Sequence, residues 1–158
     1  MKKLPYLVSC MFLVTALSCT PPEDNEAETV IVEAPDESLL IEGAWRMQSR
    51  ITYENGLPID TVVMGDRYAQ VKMYVDGSVM WSQMTPEDSA KWYGYGSYMV
   101  MDGELIELME YGSDEFMKFL QTQNKFEFEL IIEDDTYTQI GMDSLGLPAN
   151  AEHYVRVN

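Results

Sequence analysis

The sequence predicts an all-β domain, an antiparallel up-and-down β-barrel of about eight or nine strands with at most one short helix. Three observations carry that expectation. Asn55-Gly56, Asp76-Gly77 and Asp102-Gly103 are hairpin dipeptides, each set between β-rich runs. Tight two-residue turns need positive φ at both central positions, which Gly, Asn and Asp tolerate best. The runs beyond Leu40 follow one another closely, with no long amphipathic helix between them. Alternation is clearest in Phe126-Glu127-Phe128-Glu129-Leu130, which sets apolar side chains on one face and acids on the other.

Taken in order, the expected strands lie near 42–54, 59–65, 67–75, 78–84, 92–101, 104–111, 125–133, 136–142 and 151–157. In the first, Trp45, Met47, Ser49, Ile51 and Tyr53 share a face opposite Arg46, Gln48, Arg50 and Thr52. Asp134-Asp135 supplies a weaker turn before the eighth strand. Asp114 to Gln121 is the helical candidate, because Asp114 and Glu115 sit where a helix N-terminus favours negative charge. Its Phe116, Met117, Phe119 and Leu120 are available to cover one barrel end.

The segment ahead of the domain is of another kind. Lys2 and Lys3 precede Leu4–Leu17, which is apolar apart from Ser9 and Thr15 and too short for a stable membrane span. Ala16-Leu17-Ser18-Cys19 then resembles a lipobox, with Ala16 standing where Leu is usual. The resemblance implies a lipoprotein signal peptide over 1–18 and acylation (palmitate-type) of Cys19. Leu7-Val8-Ser9-Cys10 fits the motif locally, but cleavage there leaves almost no apolar region, so Cys19 is the expected lipidation site. Residues 19–40 read as an acidic disordered tether. Between Thr20 and Glu42 lie eight acids and no Lys or Arg, punctuated by Pro21, Pro22 and Pro35, and such one-signed charge extends a chain. About 20 such residues reach ~25 Å or more. Pro21-Pro22-Glu23-Asp24-Asn25-Glu26 resembles the acidic export signal of Bacteroidetes-type surface lipoproteins; a plain acidic spacer is the other reading. The implied location is the bacterial outer membrane, lipid-anchored, with periplasmic or surface exposure left open.

Charge narrows the partners. The chain carries 27 acids against 10 Lys and Arg, a net −17, and loss of Lys2 and Lys3 with the signal would leave −19. Nucleic-acid binding needs clustered positive charge, so that class is excluded, as is a domain lying flat on anionic lipid. Both cysteines, Cys10 and Cys19, precede residue 41, so the 41–158 domain has no disulfide and no cysteine metal site.

Several stretches then resemble one family. Gly43-Ala44-Trp45 is similar to the G-x-W of the lipocalin and calycin group. Lys72–Trp81, Gly94-Tyr95-Gly96-Ser97-Tyr98, Ile106-Glu107 and Tyr154-Val155-Arg156-Val157 also resemble bacterial lipocalin-like domains. The likeness runs from about Ile41 to Asn158. It implies a barrel closed by Arg156 of the last strand packing across Trp45, and a small molecule bound inside.

Hairpin register suggests where. The Asp76-Gly77 turn puts Tyr74 opposite Val79 and Lys72 opposite Trp81, and the Asp102-Gly103 turn puts Tyr98 opposite Glu107. If those faces point inward, Lys72, Tyr74, Trp81, Tyr98 and Glu107 form a ligand-binding set in which Lys72 and Glu107 pair or meet polar ligand groups. The opposite face of the first hairpin, Val71, Met73, Val75 and Met80, is more apolar and is an equal candidate for the interior. The ten methionines after residue 18 read as core filling, and Trp92, Tyr93 and Tyr95 as cross-strand aromatic packing.

No nucleophile constellation is present. His153 is the single histidine, and there is no G-x-S-x-G elbow. Glu133-Asp134-Asp135 and Asp143 lack calcium-loop spacing and read as turns. The chain therefore reads as non-enzymatic, with no catalytic residue, no metal and no cofactor. The expected partners are the bilayer, through the acylated cysteine, and an unknown small molecule. The alternative is an envelope interaction module with a filled barrel, docking on another protein.

Overall fold

The computed structural model describes residues 40–65, 68–84 and 92–158. The signal segment, Cys10, Cys19 and the tether as far as residue 39 lie outside the described residues. Nine strands and one short helix follow: β1 (Gly43–Glu54), β2 (Leu57–Val63), β3 (Ala69–Val75), β4 (Ser78–Met84), β5 (Trp92–Met101), β6 (Glu104–Gly112), α1 (Asp114–Leu120), β7 (Lys125–Glu133), β8 (Thr136–Met142) and β9 (Pro148–Arg156). All pairings are antiparallel, in the order β2-β1-β3-β4-β5-β6-β7-β8-β9, and β1 also pairs with β9. The sheet therefore closes into a barrel, as the sequence predicts.

The nine strands make eight staves. One edge of β1 takes β9 over Trp45–Thr52. The other takes β3 over Gly43–Arg46 and β2 over Ser49–Glu54, so β2 and β3 lie end to end against it. Between them the chain makes a short excursion, bridged at Gly65 and Tyr68.

The three hairpin dipeptides form turns with positive φ at both central residues: 53° and 73° at Asn55-Gly56, 46° and 73° at Asp76-Gly77, 54° and 77° at Asp102-Gly103. That is the type I′ geometry whose twist matches the flanking strands. Asp134-Asp135 also makes a two-residue connection, with Glu133 paired to Thr136, but neither residue has positive φ. Two strands begin earlier than expected. β2 zips from the turn at once through Glu54 and Leu57, and β9 starts at Pro148, held opposite Met142.

The expected face of β1 is corrected by a bulge. Register slips between Met47 and Ser49, so the alternation that buries Trp45 and Met47 reverses. Arg50, expected opposite Trp45, instead reaches Glu152 inside the mouth of the barrel. In α1 only Phe116 is buried, with Leu120 packed partly against the core; Met117 and Phe119 stay largely exposed.

Candidate functional site

Strand direction puts the β3–β4, β5–β6 and β7–β8 turns at one end of the barrel, where β1 begins and β9 finishes. That end is closed. Trp45 is fully buried and donates its indole N–H to the Ile41 carbonyl at 2.6 Å. Arg156, opposite Trp45 on β9, lays its guanidinium 4.0 Å from the indole centroid and donates to the carbonyls of Glu42 and Leu40. Such a cation–π contact contributes about 0.5–2 kcal/mol. Above Trp45 the rings of Tyr137 and Tyr154 stack at 4.6 Å, and Tyr98 meets Tyr74 edge-on at 4.9 Å. These rings fill the lower lumen.

The hydroxyls of that plug point into a polar layer. Lys72 donates to both Glu107 carboxylate oxygens at 2.9 and 3.1 Å and to Gln139 Oε1 at 3.0 Å, using all three ammonium protons. Tyr74 donates to Glu107 Oε1 at 2.6 Å. Glu152 accepts from Tyr154 and Gln139 on one oxygen and from Arg50 on the other. Gln70 donates to the Tyr154 hydroxyl at 2.7 Å. Lys72 and Glu107 are 4% and 3% exposed, dry enough that either charge alone would be costly. Burial pushes the Tyr74, Tyr137 and Tyr154 hydroxyls well above the usual tyrosine range. The neighbouring glutamates raise them further, Glu107 for Tyr74 and Glu152 for Tyr154.

Over this floor lies a cavity of about 180 Å³. Trp81, Met109, Phe116, Phe126 and Phe128 form its apolar wall, with Lys72, Glu107, Gln139, Glu152, Arg50 and Gln70 below and beside it. Gly94 makes room for the box: a Cβ there would sit 2.7–2.8 Å from Phe116, Met109 and Trp81. A second hollow of about 220 Å³ shares Arg50, Gln70 and Gln83 and continues toward Val62, Met64 and Met84.

With strand order, closure and plug in view, comparison with known proteins settles the architecture. The chain is similar to a lipocalin-like protein of known structure from Bacteroides uniformis, over 73% of this chain and 97% of that one, with a TM-score of 0.52 and 12% identity. The fold is lipocalin-like. An uncharacterized protein from Bacteroides eggerthii is similar over 73% of this chain and 98% of its own, at 14% identity and a TM-score of 0.48. No protein-family model and no curated protein matches the sequence.

Within the lipocalin-like barrel, the open question of the first hairpin has an answer. Lys72, Tyr74, Val79 and Trp81 face inward, and Met73, Val75 and Met80 face out. Of the five residues expected to meet a ligand, Lys72, Trp81 and Glu107 line the cavity. Tyr74 and Tyr98 do not reach it; they stand one layer deeper, inside the plug. The pattern did not single out Met109, Gln139, Glu152, Arg50 and Gln70. A polar residue on a strand reads as outward, and only the ring of pairings turns these inward. Phe116, Phe126 and Phe128 were visible as one apolar helix face and one apolar strand face. Tyr95 stacks on Tyr111 at 4.9 Å on the outer wall, as cross-strand packing. His153 Nδ1 lies 3.1 Å from Thr138 Oγ1. Among the described residues no group of three or more His, Cys, Asp or Glu is placed to hold a metal ion.

Proposed function

We propose that this chain is a lipid-anchored envelope protein whose barrel binds a small, partly apolar molecule non-covalently in its mouth. The supporting observation is the pairing of an aromatic box with a polar floor around one open cavity, the usual composition of a small-ligand site. The floor is pre-organised, since Lys72, Glu107, Gln139 and Glu152 hold one another in place before any ligand arrives. At about 180 Å³ the hollow suits a ligand smaller than a drug-sized molecule, or one end of a larger one. The reading assigns no catalytic step. Anchoring at Cys19, and with it residence at the outer membrane, rests on the signal-like N-terminus.

Native mass spectrometry of the gently purified chain should find a bound small molecule. Anilinonaphthalene sulfonate should bind saturably, one per chain, with blue-shifted emission. Trp81→Ala should weaken that binding at least tenfold, roughly the worth of one aromatic wall, with the melting curve still cooperative. Absence of both a co-purified molecule and saturable probe binding would shift the reading to an envelope docking module, which the filled lower lumen favours. Cys19→Ala should release the protein from the membrane fraction. Unchanged fractionation would implicate Cys10.

A further inference from the structure

The outer wall carries a feature that the lumen does not explain. In β3, β4 and β5 the only charged residue is Lys72, which points inward, so no outward position of these three strands bears a charge. That is unusual in a chain with 27 acids. The outer face of β7, the strand beyond β6, is different, with Lys125, Glu127, Glu129 and Glu133 all exposed. Across β3–β6 nine large apolar side chains are at least 40% exposed. At roughly 100 Å² each they offer on the order of 900 Å², above the largest patch of an ordinary monomer and about one partner's share of a standard interface.

Their arrangement names the occupant. Cross-strand pairing lines up Met73, Met80, Tyr95 and Tyr111 in one outward row, one residue per strand. A twofold axis parallel to the strands, between β4 and β5, would set Met80 against Tyr95 and Met73 against Tyr111 of a second copy. Those are sulfur–aromatic pairs, a favourable contact for methionine. In the next row Val75, Ser78, Ser97 and Leu108 put small residues on the central strands and larger ones at the flanks. Two convex walls need that profile, touching along the middle and filling in at the sides. The exposed acids of this face, Glu104 and Glu110, are confined to β6 at its edge. The twofold sets them against the uncharged outer face of β3 of the second copy, so two chains of net charge −17 meet there without opposing acids.

We propose that the outer face of β3–β6 is a self-association surface, on which two copies pack as an isologous dimer through the Met73–Met80–Tyr95–Tyr111 row. The proposal goes beyond the lumen reading and holds whatever the cavity contains.

Sedimentation equilibrium of the full chain in its unacylated form tests it. At about 100 µM, well above the micromolar dissociation constant of a modest interface, the chain should run at twice its own mass. Met80→Glu should weaken the dimer at least about tenfold, as loss of a central contact does. Ile131→Glu, on the charged wall, should leave it unchanged. Far-UV circular dichroism and thermal melts confirm that both variants fold, and Met80→Ser repeats the test without a new charge. Raising salt from about 0.05 to about 0.5 M shortens the screening length to a few ångströms and should tighten the dimer. A monomeric native chain at that concentration overturns the proposal, as does a dimer indifferent to both Met80 variants or one that dissociates with salt. A monomer that co-sediments with phosphatidylcholine vesicles through Met80 overturns it too, and gives the face to lipid.

Discussion

At the closed end of the barrel Trp45, Tyr137 and Tyr154 meet ring to ring, whereas at the open end Trp81, Phe116 and Phe128 stand around a hollow. Both ends draw on aromatic side chains, yet one is a plug and the other a wall. The difference lies in what faces the rings. Below, Trp45 spends its single polar atom on Ile41 and is otherwise enclosed by other rings and Arg156. Above, the rings face Lys72, Glu107, Gln139 and Glu152, which are already bonded to each other and keep the floor polar. Aromatic packing closes a barrel when it can meet itself, and leaves a cavity where a polar layer interrupts it.

The sharpest way to break this contrast is to remove the plug. Trp45→Ala should cost about 3–5 kcal/mol, the range for a buried aromatic, because neighbouring rings cannot collapse into the space. Urea unfolding at constant m-value measures it. A loss below about 1 kcal/mol would mean that the lower lumen is not tightly filled. The polar layer makes a comparable test. Lys72→Met leaves the buried Glu107 carboxylate with the Tyr74 hydroxyl as its remaining side-chain donor, and breaking a buried pair in this way costs about 3–5 kcal/mol. Lys72→Met with Glu107→Leu should recover most of that loss, since a well-packed apolar pair of similar volume is often neutral. A double variant no more stable than the single would show that the network as a whole, not the lone charge, sets the cost.

The plug and the floor were not equally legible in the sequence. Chain order, hairpin register and the Trp45–Arg156 juxtaposition follow from local signals: turn dipeptides, alternation, and a G-x-W resemblance with its distant arginine. Lys72 and Glu107 were found because two tight turns fix which residues lie opposite. Arg50 was hidden, since a single-residue bulge after Met47 reverses the strand face and leaves no mark in the pattern. Gln139 and Glu152 were hidden for another reason. Each lies two positions from a tyrosine, Tyr137 or Tyr154, and shares its strand face. A face of mixed tyrosine and polar residues can point to solvent or to a buried polar layer, and periodicity cannot separate the two. A polar lumen becomes visible only when the ring of strands is closed.

The smallest effect lies where plug and floor meet, at the tyrosine hydroxyls. Tyr74, Tyr137 and Tyr154 are held neutral, first by burial and then by Glu107 and Glu152. Their folded pKa values lie above the unfolded value near 10. The stabilisation from keeping them protonated is therefore complete below about pH 10 and is lost as pH rises from there toward the folded values. Above pH 10 the unfolded chain binds fewer protons than the native one, so stability must fall with pH. Tyrosinate absorbance should show three of the chain's ten tyrosines titrating only together with unfolding. Tyr154→Phe should reduce the steepness of that alkaline transition by about one proton, because it removes one such group while keeping its ring in the stack. If these three tyrosines ionise before the fold is lost, water reaches the polar layer from the mouth, and the boundary between plug and floor lies deeper than the Tyr74 hydroxyl.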